Sequence, residues 1–248
     1  MRSLVLAICL SVVTPFAVAD DWEFVLEPYM LGASIEGDSA IGQANGIEVD
    51  VDFSRILETL RMAGMVRFEA VHDSNWGVVL DYGFMDLGDD LSGPRGGIAD
   101  IKLRQGILQA NVLRRHELEN STLDVLFGVR WWDNDIELEL DPALLPISPS
   151  LEIEEDWVDL ILGMRWQTRL NDRWKFQVSG DIGGFGMEAD MTSQLSLGAI
   201  YNINDRLDLD LRYQAMWVDY ETGNEGERDY FAYDTVTHGP LIGLIIRF

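Results

Sequence analysis

From Trp22 onward, apolar and polar residues alternate with a period of two in segments of about ten residues or more, the length of a membrane-crossing strand. Ten such segments can be drawn: Trp22–Ser34, Leu60–His72, Trp76–Leu87, Asp100–Arg115, Thr122–Leu140, Leu151–Leu170, Arg173–Gly184, Glu188–Ile203, Arg206–Tyr220 and Tyr230–Phe248. Side chains on a strand point to opposite faces in turn, so each segment has one apolar and one mixed face. Trp76, Val78, Leu80, Tyr82 and Phe84 oppose Val79, Asp81 and Gly83. Val125, Phe127, Val129 and Trp131 oppose Asp124, Leu126, Gly128 and Arg130, and Leu207, Leu209, Leu211 and Tyr213 oppose Asp208, Asp210, Arg212 and Gln214.

The connections sort by length. Asp73-Ser74-Asn75, Asn171-Asp172 and Asn204-Asp205 are tight turns, and His116 to Ser121 is little longer. The intervening connections at 35–59, 88–99, 141–150 and 221–229 are long, with the Gly-rich 184–187 a short exception. An even number of strands with short turns on one rim and long loops on the other predicts an all-β, ten-stranded antiparallel transmembrane barrel of the outer-membrane type. A soluble acidic sandwich has similar bulk composition but no reason to sort its loops this way. Trp76, Trp131, Trp166, Trp174, Tyr201 and Trp217 are expected in interfacial girdles.

Turning the apolar faces to lipid fixes the inner face. It receives Arg67, Glu69, Asp81, Asp124, Arg130, Asp159, Arg165, Lys175, Asp181, Asp208, Asp210 and Arg212, with Gln105, Gln109 and Asn111 as neutral polar filling. Ten strands enclose little more space than the eight that side chains alone can fill. Opposite charges there are expected to pair and plug the lumen, with a narrow ion pathway as the alternative. Ile107, Leu126, Ile161, Leu241 and Ile245 also face inward and either pack the interior or line an apolar pocket.

The start of the chain reads as an export signal: Arg2, an apolar run Leu4 to Val13, and Ala17-Val18-Ala19 as a cleavage site. The expected organisation is a signal peptide at 1–19 and a barrel at 20–248, located in the cell outer membrane. The only cysteine, Cys9, lies in the apolar run, so the exported part has no thiolate ligand and no disulfide. A formal charge of −25 opposes binding to nucleic acid. No other apolar run is long enough for a membrane helix.

Asp133 to Asp141 and Leu151 to Asp156 alternate apolar and acidic residues around a Pro-rich tip at 142–149, reading as a hairpin that continues the sheet outside the membrane. Its acidic face is either solvated or binds divalent cations bridging to lipopolysaccharide; no loop shows the ligand spacing of a calcium site. In the first long loop Phe53, Ile56, Leu57 and Leu60 have helical spacing behind Asp52 as N-cap. That predicts a short helix, either a lid over the mouth or a brace on the rim. Gly180, Gly183, Gly184 and Gly186 are not a phosphate loop, since no Lys-Ser/Thr follows; they suit a bent sheet and a tight turn.

Glu27-Pro28-Tyr29, the stretch Val51 to Leu60, Gly180-Asp-Ile-Gly-Gly-Phe-Gly186, and His238-Gly239-Pro240 with Phe248 together resemble a family of uncharacterised proteobacterial outer-membrane β-barrel proteins. Met30-Leu31-Gly32 departs from the Leu-Trp pair expected after Pro-Tyr. The resemblance implies fold and location and carries no catalytic residues.

Three functional readings follow: a structural or interaction protein or narrow channel, a transporter of small or hydrophobic molecules, and an outer-membrane hydrolase. Histidine placement opposes the last. His72 and His116 fall at the short-turn end, and His238, near Thr237 and Asp234, is on the lipid-facing register with no serine in its strand. No catalytic residue, metal site or cofactor is expected. The expected partners are outer-membrane lipid, lipopolysaccharide and the barrel-assembly machinery, which would read the C-terminal strand through Ile242, Leu244, Ile246 and Phe248.

Overall fold

The computed structural model describes residues 21–41, 44–88, 98–140, 150–225, 227 and 230–248. The segment expected as a signal, with Cys9, and the Pro-rich tip at 142–149 lie outside them. The elements are β1 (Trp22–Leu31), β2 (Ser34–Ile41), β3 (Ala44–Val51), α1 (Phe53–Thr59), β4 (Leu60–His72), β5 (Trp76–Leu87), β6 (Ile98–Glu117), β7 (Ser121–Leu140), β8 (Ser150–Arg169), β9 (Trp174–Gly183), β10 (Met191–Asn204), β11 (Leu207–Thr222) and β12 (Phe231–Arg247). Strands β1 and β4 to β12 form an antiparallel meander that closes where β1 meets β12, from Val25 opposite Arg247 to Leu31 opposite Leu241. The result is a ten-stranded barrel.

The remaining strands, β2 and β3, were not foreseen. Residues 35–59, expected as a loop bearing a helix, also hold this hairpin. Strand β2 continues the line of β1 along the upper part of β12, from Ser34 opposite His238 to Ile41 opposite Phe231, and β3 pairs with its other edge. Small residues mask the alternation here. Gly37 has a φ of 147°, and a Cβ there would fall 2.2 Å from the Asp234 carbonyl oxygen. Only glycine allows β2 to approach β12 so closely.

The tight turns gather on one rim and the long connections on the other, called lower and upper below. On the outer wall Val112, Phe127 and Leu162 are cross-strand neighbours, and all three are exposed. Leu80, Val125, Val129, Met164, Leu197 and Ile242 extend this apolar belt around the barrel. So large an apolar surface is not stable in water. Trp76 starts β5 at the lower rim, and Trp174 lies tilted against Tyr201, 4.8 Å between centroids, at the same level. Trp131 and Trp217 lie well inside their strands, because β7 and β11 run on beyond the belt.

The helix is capped as its sequence implies. The Asp52 carboxylate accepts hydrogen bonds from the Ser54 hydroxyl at 2.5 Å and the Arg55 backbone N–H at 2.9 Å. These donors hold its pKa below the ordinary value. The cap is therefore complete above the ordinary carboxylate range and is lost as pH falls through the lowered value.

If the belt faces hydrocarbon, Phe127→Arg should cost about 2–4 kcal/mol in unfolding titrations from lipid vesicles, with Phe127→Leu far milder. Equal stability of the two variants would place that wall in water.

Candidate functional site

Alternation sends long polar side chains into a narrow interior, and the lumen is layered from rim to rim as a result. Lowest, Arg247 of β12 pairs with Asp208 of β11, which also accepts from Asn202 Nδ2 at 2.8 Å. Lys175 lines the lower mouth near Arg169 and Asp208, around a recess of about 320 Å³.

The next layer spans the barrel. Glu69 on β4 accepts from Arg165 Nη1 on β8 at 2.7 Å and from Arg115 Nη2 on β6 at 2.8 Å. The same two arginines grip Asp124 on β7, Arg165 through Nη2 at 2.6 Å and Arg115 through Nε at 2.9 Å. Two carboxylates and two guanidiniums thus form a closed ring of charge-assisted bonds. Beside it, Arg67 on β4 holds Asp81 on β5 through Nε at 2.9 Å and Nη2 at 2.7 Å, and reaches Glu27 on β1 at 3.1 Å. Glu27 also accepts from Arg212 Nη2 on β11 at 2.8 Å, and Arg212 Nε donates to Asp210 at 2.5 Å. Tyr29 completes this string, its hydroxyl donating to Asp81 at 2.7 Å.

Room for these groups comes from missing side chains opposite them. A Cβ at Gly243 would lie 2.6 Å from Glu27 Oε1, and one at Gly198 would lie 2.8 Å from Arg212 Cγ. Above them, Arg130 is 0% exposed and donates to Asp181 at 2.7 Å and to Gln109 at 3.1 Å. Asp159 is the exception among the inward acids: it accepts from the Trp157 indole at 3.0 Å and the Ala189 backbone N–H at 3.2 Å.

All twelve inward charges expected from alternation point into the barrel. Glu27, Arg115 and Arg247 join them without having been singled out. Parity already placed them: Glu27 shares a face with Glu23 and Val25 opposite Trp22, Phe24 and Leu26, and Arg115 follows Gln109, Asn111 and Leu113. The adjacent Arg114 obscured the second of these, and it points to the lower rim, bonding the Ser74 carbonyl.

The upper interior is different in kind. Trp132, Trp157, Tyr220, Phe231 and Tyr233 are buried together, with Trp157 stacked on Tyr220 at 3.9 Å and on Trp132 at 5.3 Å. A second cluster joins Ile56 of α1 to the inward Ala33, Ile35, Met85 and Leu87. The interior space is divided into small cavities, about 80 Å³ among the apolar residues and about 60 Å³ between the ion-pair layers.

His238 is on the outer wall, its Nδ1 2.7 Å from the Tyr213 hydroxyl and its Nε2 3.5 Å from Glu36. His72 bonds Ser74 in the first tight turn, and His116 sits near the lower end of β6. Among the described residues, no three His, Cys, Asp or Glu side chains converge as metal ligands.

Glu69→Gln removes the charge shared by Arg115 and Arg165, and a stability loss of about 3–5 kcal/mol is expected. The exposed Arg104–Asp135 pair, 3.5 Å apart, should matter far less, with Arg104→Ala costing about 1 kcal/mol or less. Unfolding titrations of both variants check the contrast, and equal losses would contradict it.

No family model matches the chain, and no curated protein does. Solved structures do. The outer membrane protease OmpT from Escherichia coli superposes with a TM-score of 0.54 at 9% identity, covering 93% of this chain and 98% of that one. The translocator domain of the autotransporter NalP from Neisseria meningitidis gives 0.47 at 11% identity, covering 92% and 88%. A major outer membrane protein from Thermus thermophilus gives 0.44 at 15% identity, covering 92% and 99%. At these identities the likeness is one of fold: this is a β-barrel of the outer-membrane type.

Proposed function

We propose that this chain is an outer-membrane barrel whose lower lumen is sealed by its own ion pairs, serving as a structural or interaction element and passing ions poorly. The observation that carries this reading is Glu69 held from β6 and β8 at once, across the interior. All four carboxylate oxygens of Glu69 and Asp124 are paired within this ring, and opening it strands charge in a space with little water. The apolar belt supports location in a membrane, and the outer-membrane type of the barrel, with the export signal expected from the sequence of residues 1–19, supports the outer one. Lipopolysaccharide is the partner this assigns to the acidic upper strands, where Asp133 faces Asp156 and Asp135 faces Glu154 across β7 and β8. The barrel-assembly machinery is assigned to the outer face of β12.

Hydrolysis is not part of the reading. The chain's three histidines all lie off the inner wall, and the nearest hydroxyl partner of His238 is a tyrosine. Cofactor chemistry is not part of it either.

Planar-bilayer recording tests the seal. The wild-type protein is expected to give little or no steady current, whereas Arg165→Ala should lower thermal stability and raise conductance as water enters around Glu69 and Asp124. Large, steady single-channel currents from the wild type would refute the sealed reading in favour of a porin.

A further inference from the structure

The barrel wall is not laddered over its full height. Strands β1 and β4 pair from Trp22 opposite His72 up to Tyr29 opposite Met65. Above that level β4 continues to Leu60 with β5 as its only ladder partner among the described residues. The chain on the other side turns away: β2 follows β12, and β3 follows β2. A seam is left between β3 and β4, and the segment that crosses it is Asp52 with α1. At ~3.3 Å per residue and a tilt of about 40°, the ladder from Trp22 to Tyr29 rises roughly 18 Å, so the seam opens in the upper part of a ~25 Å apolar belt.

The helix fills this seam as a stopper. Ile56 is 4% exposed and packs on inward-facing residues. Phe53, 43% exposed, lies on the outer surface, where a Cβ at Gly32 would meet its ring at 3.3 Å. Met30, Leu57 and Met62 around it are exposed and apolar. A Cβ at Gly64 would have nothing within 4 Å, and one at Gly83 only Met65 at 3.7 Å, so the wall beside the seam is thin.

Ala33 and Met85, on which Ile56 packs, line the cavity of about 80 Å³, so one layer of side chains separates the helix from it. Its lining takes Tyr29 and Leu31 from one side of the seam, Met65 from the other, and Phe84, which by alternation belongs to the outer face. Ile107 and Met216 lie deeper within it. Below, Arg67 with Asp81 and Arg130 with Asp181 close the floor.

We propose that this chamber takes the terminal few carbons of one lipid acyl chain, which slide in sideways from the outer half of the membrane when α1 moves aside. The occupant follows from where the seam opens and from the lining. The seam lies at the upper edge of the belt, where Phe53 and Leu57 meet hydrocarbon while Asp52, Arg55 and Glu58 reach water. Most of the lining surface is carbon, with Gln105, Gln109, Gln194 and Gln214 beside it, and the charged floor makes the chamber blind. A chain end can enter while its headgroup stays at the interface. The site extends the sealed-barrel reading, because the same ion pairs form its floor.

The test uses the full chain refolded into phosphatidylcholine vesicles containing a phospholipid with a diazirine at the end of one acyl chain. After illumination, adducts are mapped by mass spectrometry. Adducts are expected on Leu31, Met85, Ile107 or Met216, besides outer residues such as Leu80 and Phe127. Ile107→Trp, which fills the chamber, should reduce the inner adducts about tenfold and leave the outer ones unchanged. Met85→Trp serves if that variant does not fold. Paired Phe53→Ser and Leu57→Ser should raise the inner adducts by loosening the stopper. Adducts confined to the outer wall would overturn the proposal, as would inner adducts indifferent to both changes. The map reads the upper chamber alone, so its failure is distinguishable from a failed conductance result.

Discussion

Every second residue of a barrel strand must point inward, and ten strands leave only small cavities to hydrate what arrives there. An isolated charge in such a space is costly, and most of those here have a charged partner on another strand, with Asp159 held by neutral donors instead. The bonds from Glu69 to Arg115 and Arg165 and from Glu27 to Arg67 and Arg212 meet this constraint. They tie β4 to β6 and β8, and β1 to β4 and β11, across the closed wall. Small residues at Gly198 and Gly243 belong to the same solution, since the long side chains opposite need that volume. Buried pairs of this kind add little net stability over an apolar core; their effect is to fix which strands face one another.

The constraint also explains why the interior changes character along its axis. Charges crowd the lower half, where strands are laddered on both edges and the wall is rigid. The upper half, where β2, β3 and α1 interrupt the meander, is filled with aromatic and aliphatic groups instead. Apolar packing tolerates an incomplete wall, because few buried charges depend on exact strand placement there, Asp159 beside Trp157 and Ala189 being one. The stack of Trp132, Trp157 and Tyr220 braces β7 and β8 against β11 above the short β9–β10 hairpin.

Much of this was legible as alternation. Strand parity distinguishes lumen from lipid along β11, along β7 up to Asp135 and along β5 up to Gly83, with Phe84 departing from it, and β4 and β5 have the bounds that the pattern implies. The hairpin β2–β3 was hidden because Gly37, Ser39 and Ala40 carry too little contrast to show a period. Pairing was less legible than direction. Parity says that Arg165 points inward, but only the curvature of the closed sheet brings it to Glu69, 96 residues away in sequence. The aromatic layer was missed for a similar reason. Trp132 adjoins the lipid-facing Trp131, and a girdle reading absorbs both although alternation sends them to opposite faces.

The side chains at the centre of this account can be observed directly. In nitrogen-15 spectra of the refolded protein, the guanidinium Nε–H protons of Arg67, Arg115, Arg165 and Arg212 should give separate resonances that exchange slowly with solvent. Ion pairs crossing a nearly dry lumen hold each group in its own environment. Four overlapping, rapidly exchanging signals at the position of free arginine would mean that water fills the interior, and the lumen would not be sealed.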